Sequence, residues 1–145
     1  MEELPEGPDF SRRIPDLVSA YVAMDVAAEM LNSAIEKYHN KTYEEAFIDS
    51  RNSVRVAASA ILLKDGCIAS TFDSTIRYLE PRYSNILPLD SWSDLEAIQA
   101  EGDGIIYFLL KVIGKIKKPN RQQAKKAIIT AEQFLNSVRM MVELR

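Results

Sequence analysis

Two arginines one helical turn apart, Arg51 and Arg55, stand among Asp49, Ser50, Asn52 and Ser53. Guanidinium groups at that spacing can grip a phosphate or carboxylate through several donors at once, and a neighbouring hydroxyl adds one more. Asp73 and Arg77 repeat the four-residue spacing further along; they suit an ordinary ion pair or a second wall of the same cleft. Ser50, Arg51, Arg55, Asp73 and Arg77 are therefore the candidate nucleotide- or phosphate-binding residues. The simpler reading, which the sequence favours, pairs Arg51 with Asp49 or another nearby acid and leaves Arg55 on a solvated face.

Other chemistry has less to build on. The chain contains no P-loop, GxGxxG, CxxC or HExxH pattern. Its one histidine, His39, falls at an expected helix end, where a cationic or donor side chain suits the helix dipole, and no serine or cysteine is arranged with it for nucleophilic catalysis. Carboxylates are scattered: Asp25 and Glu29 on one helix, Glu44, Glu45 and Asp49 on the next. Di-metal bundles pair inward Glu with Glu-x-x-His, and neither that motif nor Asp-x-x-His occurs. We expect no metal, no cofactor and no catalytic residue.

The elements that must position the arginines follow from periodicity. Thr42 to Gly66 reads as one complete helix. Thr42 with Glu45 forms a capping-box signature, apolar and small residues recur at steps of three and four, and Gly66 suits a left-handed stop. Before it, Leu17, Tyr21, Met24, Ala28, Leu31, Ile35 and Tyr38 form a stripe that predicts a long helix, with Pro15 in its first turn and its end near Asn40. The short link makes the two helices an antiparallel hairpin. Residues 1–13, with Pro5, Gly7 and Pro8, read as a flexible arm, and residues 14–145 as a single domain.

Beyond Gly66, Ser70 with Asp73 caps a shorter helix that Pro81 ends, with Phe72, Ile76 and Leu79 inward. Residues 82–90 are irregular. Ser91 with Asp94 opens a stretch from Trp92 to Ala100, which the glycines of Glu101-Gly102-Asp103-Gly104 interrupt or bend. Ile105 to Ile116 is apolar nearly all round, which predicts a helix buried on most sides, with Lys111 and Lys115 marking its one wet edge. A buried strand is the competing reading of that run, but every neighbour is helical. Asn120 with Gln123 caps the last helix, whose stripe runs from Ala124 to Val142. The sum is an all-α, up-and-down bundle of about five helices.

Composition sets outer bounds. Hydrophobic residues make up 47% and charged residues 27%, so a packed core is affordable. A net charge of −3 argues against a global grip on nucleic acid or acidic membrane. A single cysteine cannot form an internal disulfide framework, and no apolar run approaches the roughly 18 residues of a membrane span. With an acidic, proline-bearing start unlike a signal peptide, these features point to the cytoplasm.

The order of elements, together with YEEAFIDSRNSVRVAASAILLKDG, IASTFDSTIRYLEPRY and RQQAKKAIITAEQFLNSVRMMV, resembles the HEPN domain family over about residues 16 to 143. The resemblance rests on the pattern "A…R…A..A.LL..G" and "A……AE.FL". It implies an up-and-down bundle that often forms homodimers, commonly encoded in prokaryotes beside a minimal nucleotidyltransferase, in toxin–antitoxin or nucleotide-binding roles. Many members are metal-independent ribonucleases with an Arg, four to six residues and a His on the helix before the last. The matching segment, Gly104 to Lys118, has neither, so catalysis is not expected. The resemblance carries Ser50, Arg51 and Arg55 over as a nucleotide or phosphate contact. The reading is a non-catalytic binding module. It pairs with itself through the apolar helix and an apolar loop (Ile86, Leu87, Leu89, Trp92), and a nucleotidyltransferase-type protein is a further partner. The alternative is a nucleotide-binding sensor or ribonuclease-type enzyme using the helix-2 arginines, with nucleotide or RNA as its ligand.

Overall fold

A computed structural model describes residues 10–98 and 104–143. Among these residues there are six helices and one two-stranded sheet, where about five helices are expected. In chain order they are β1 (Phe10–Arg12), α1 (Leu17–His39), α2 (Tyr43–Asp65), β2 (Cys67–Ala69), α3 (Phe72–Tyr83), α4 (Leu89–Glu96), α5 (Gly104–Val112) and α6 (Arg121–Glu143).

The long helices form the core because their facing residues are small. Ala20, Ala27 and Ala34 recur every seven residues on α1, with Met24 and Leu31 between them, and all five are buried. Ala46, Ala57, Ala58 and Ala60 on α2 and Ala124, Ala127 and Ala131 on α6 are fully buried as well. Backbones can then approach closely, and the larger Phe47, Ile61, Trp92 and Phe134 fill the spaces that remain. The α1–α2 hairpin is antiparallel. The Asp16 amide at the start of α1 donates to the Leu63 carbonyl at the end of α2, while Ser33 and Lys37 near the end of α1 donate to Asp49 near the start of α2, at 2.9 and 2.7 Å. The buried Ser53 hydroxyl also donates across the pair to the Ala27 carbonyl, at 2.7 Å.

Helix ends agree with the sequence in part. Asn40 closes α1, Gly66 stops α2 in the left-handed region at φ 88°, and Asn120 and Gln123 exchange two 2.9 Å bonds at the head of α6. Elsewhere a competing partner wins. The Thr42 hydroxyl donates back to the Lys37 carbonyl, so no capping box forms on α2. Asp16 caps α1, accepting from the Ser19 amide and hydroxyl, and those bonds lower its carboxyl pKa; Pro15 lies before the helix. The box on α3 sits one residue later than Ser70–Asp73, between Thr71 and Ser74. Pro81 lies inside α3 without ending it. The Arg82 guanidinium donates to the Tyr78 carbonyl, and the Tyr83 hydroxyl ties the last turn to Asp65 on α2.

Three further expectations need correction. Residues 10–12, within the expected arm, form β1 and pair antiparallel with β2, Ser11 opposite Ile68; residues 1–9 lie outside the described set. α4 runs Leu89–Glu96, with no side-chain cap from Ser91. The apolar run is helical from Gly104 to Val112, but it is not buried. Ile105, Ile106, Phe108, Leu109, Val112 and Ile113 are all more than half exposed, because α1, α2 and α6 already close the core against one another. The Lys111–Glu44 ion pair at 2.8 Å ties α5 to α2 and also raises the Lys111 pKa. Glu101-Gly102-Asp103 lies outside the described residues.

Gly66 is where the hairpin meets the sheet. A Cβ there would sit 2.8 Å from the Arg13 carbonyl oxygen and 3.0 Å from the Pro15 ring, on a backbone side chains rarely adopt. Gly66→Ala should therefore cost about 2 kcal/mol in urea-monitored unfolding. An unchanged midpoint would contradict this packing.

Candidate functional site

The five candidate residues do not converge. Ser50 is fully buried and its hydroxyl donates to the Ala46 carbonyl, one turn back. Arg51 is 3% exposed; its Nη1 donates to the Ile98 carbonyl at 2.8 Å, and its guanidinium lies 5.5 Å from the centre of the Phe47 ring. Asp49, the acid expected to pair with Arg51, is taken by Ser33 and Lys37. Asp73 and Arg77 are exposed on α3, and the Arg77 guanidinium lies 5.3 Å from the centre of the Phe10 ring.

Arg55 is the member that reaches a concavity, and it does so in a fixed pose. Its Nε and Nη2 donate to the two oxygens of Glu96 at 2.8 and 2.6 Å, a bidentate fork. Nη1 donates to Asn52 at 3.2 Å, and the Trp92 indole donates to the same Glu96 at 3.0 Å. Glu96 is thus a well-satisfied carboxylate, 8% exposed, and Arg55, expected on a solvated face, is half-buried and paired there at 39% exposure. With Arg51 on the Ile98 carbonyl, both arginines fasten the α4 region to α2. Trp92 completes the joint, edge-on to Phe72 at 4.8 Å and to Phe134 at 5.3 Å. The loop expected to offer apolar surface is largely consumed here: Leu87, Leu89 and Trp92 are buried, and only Ile86 is exposed.

Beside this joint opens a cleft of about 510 Å³, bounded by Arg55, Leu62, Leu63, Cys67, Phe72 and Trp92. Ser59 and Thr75 stand on its walls. Next to Cys67, Asp65 gathers a polar cluster the sequence did not reveal. Its Oδ2 accepts from the Tyr78 and Tyr83 hydroxyls at 2.8 and 2.6 Å, and its Oδ1 from Lys64 at 2.7 Å. Burial, and then the bond to Asp65, push the Tyr78 hydroxyl pKa well up; burial does the same to the Cys67 thiol. Neither group is primed as a nucleophile at neutral pH. No group of three or more His, Cys, Asp or Glu side chains converges among the described residues.

The Asp65 cluster anchors α3, so Asp65→Ala should lower stability by about 3 kcal/mol, leaving two phenols and a near-buried ammonium without their acceptor. Urea unfolding checks this, and a loss under about 1 kcal/mol would contradict it. Comparison of the chain with protein-family models, curated proteins and solved structures gives no match.

Proposed function

We propose that this chain is a non-catalytic, HEPN-like interaction module that pairs with a second copy of itself through the outward face of α5. One observation carries the reading. Ile105, Ile106, Phe108, Leu109, Val112 and Ile113 are between 51% and 72% exposed. The only charged residue among 105–113 is Lys111, which is turned inward to Glu44. Together the six side chains present on the order of 700 Å² of surface, close to the ~800 Å² per partner of a standard interface and beyond the patches most monomers leave wet. A second copy meets this face without desolvating any charge, which favours self-pairing over a charged partner.

The assignment to a HEPN-like family is supported by the quoted sequence pattern, and the lack of an Arg–His motif on 104–118 supports a non-catalytic role. A minimal nucleotidyltransferase-type partner, in a toxin–antitoxin or nucleotide-binding setting, follows from that resemblance alone. The nucleotide-sensor alternative gains no support from the placement of Ser50, Arg51, Arg55, Asp73 and Arg77: Ser50 and Arg51 are buried, and Asp73 and Arg77 are not among the residues that line the cleft beside Arg55.

Size-exclusion chromatography with light scattering tests the pairing. The wild type should run at twice the chain mass at tens of micromolar. The double variant Ile106→Glu, Leu109→Glu should run at the chain mass with unchanged far-ultraviolet circular dichroism. A monomeric wild type, or a variant that still dimerises, would overturn the reading.

A further inference from the structure

The cleft beside the α2–α4 joint has a chemistry of its own, independent of α5. Its body is apolar: Leu63, Ile68 and Phe72, over the buried Leu62 and Trp92. Its volume of about 510 Å³ lies within the 300–1,000 Å³ usual for small-molecule sites. The one full charge on its wall, Arg55, is neutralised in place by Glu96, whose two oxygens accept three hydrogen bonds. An anion entering the cleft would gain little from Arg55 and would meet the charge of Glu96 behind it. The wall hydroxyls complete the selection. Ser59 spends its proton on the Val56 carbonyl at 2.6 Å, and Thr75 spends its own on the Thr71 carbonyl at 2.8 Å. With those protons engaged, both hydroxyl oxygens keep lone pairs that accept hydrogen bonds, while Ser70 and Thr71 add further polar groups to the lining.

From this we infer that the cleft is a binding site for a small, neutral aromatic molecule carrying an N–H or O–H donor, of the aryl-amine, indole or phenol class. The ring occupies the apolar body against Leu63, Ile68 and Phe72, where offset or edge-on contact with Phe72 suits it and Trp92 lies just beneath. Its donor meets Ser59 or Thr75. A neutral, donor-bearing ring suits the apolar body and the Ser59 and Thr75 oxygens, whereas a carboxylate or phosphate finds Arg55 already engaged by Glu96.

The molecule carries its own reporter, because Trp92 is the only tryptophan in the chain. The probe is N-phenyl-1-naphthylamine, a neutral secondary aryl amine that accepts excitation energy from tryptophan. Titration into the full chain should quench Trp92 saturably, with one probe per chain. The anionic 8-anilinonaphthalene-1-sulfonate should bind at least 10-fold more weakly, as should 1-phenylnaphthalene, which lacks the N–H. Ser59→Phe and Thr75→Phe, each filling the cleft from a different wall, should weaken the probe at least 10-fold while circular dichroism stays native. Ile106→Glu, Leu109→Glu, which alters only the outward face of α5, should leave the titration unchanged. Absence of saturable Trp92 quenching would overturn the inference. So would a titration indifferent to both cleft-filling variants, one abolished by the α5 variant, or equal binding of the anionic probe.

Discussion

The bond between Arg55 and Glu96 is the constraint on which the placement of α4, its seal over α3 and α6, and the cleft depend. α4 is only eight residues long and has no side-chain cap. Alone, such a segment is far below the length at which helices hold in water. Its attachment comes from outside: the bidentate fork from Arg55, the indole of Trp92 on the same carboxylate, and Arg51 on the Ile98 carbonyl just beyond. Once fixed, α4 sets Trp92 between Phe72 and Phe134 and so seals α3 and α6 over the end of α2. The cleft opens beside that seal, with Cys67, Ile68 and Ala69 of β2 in its lining.

Charge pairing in this chain therefore serves assembly more than recognition. Lys37 with Asp49 joins α1 to α2, Lys111 with Glu44 joins α5 to α2, and Asp65 collects Lys64, Tyr78 and Tyr83 at the foot of α3. Each of these contacts has α2 as one side. α2 is also the helix with the most small buried residues, so the element that permits the closest packing carries the polar ties as well. Apolar surface remains elsewhere, on the outward face of α5, in the body of the cleft and along Ile14, Val18, Val22 and Val26.

The parts legible in the sequence were those encoded within a few residues of one another. The stripes of α1 and α6, the tight hairpin, Gly66 as a stop and the Asn120–Gln123 box all depend on local spacing. The partner of Arg55 was not legible because it lies 41 residues away, and no periodicity announces a contact of that separation. Spacing offered Asp49 or another nearby acid to Arg51, but Ser33 and Lys37 approach Asp49 from the neighbouring helix. Thr71 displaced Ser70 as a cap because both begin a Ser/Thr-x-x-polar pattern and only the folded chain chooses between them. Strand β1 is three residues long, too short for alternation to register. α5 misled for a different reason. A helix apolar on every side carries no record of which side is covered, so the same composition fits a core and an unpartnered face.

The claim that the α2 arginines are fasteners is tested most directly by a double-mutant cycle in urea unfolding on Arg55→Ala, Glu96→Ala and the pair. Arg55 is 39% exposed, so solvent screening discounts the fork, yet Glu96 at 8% is well shielded. The expected coupling energy is about 1–2 kcal/mol, above the roughly 0.2–1 kcal/mol of exposed pairs. A coupling near zero, with both single variants as stable as the wild type, would contradict it.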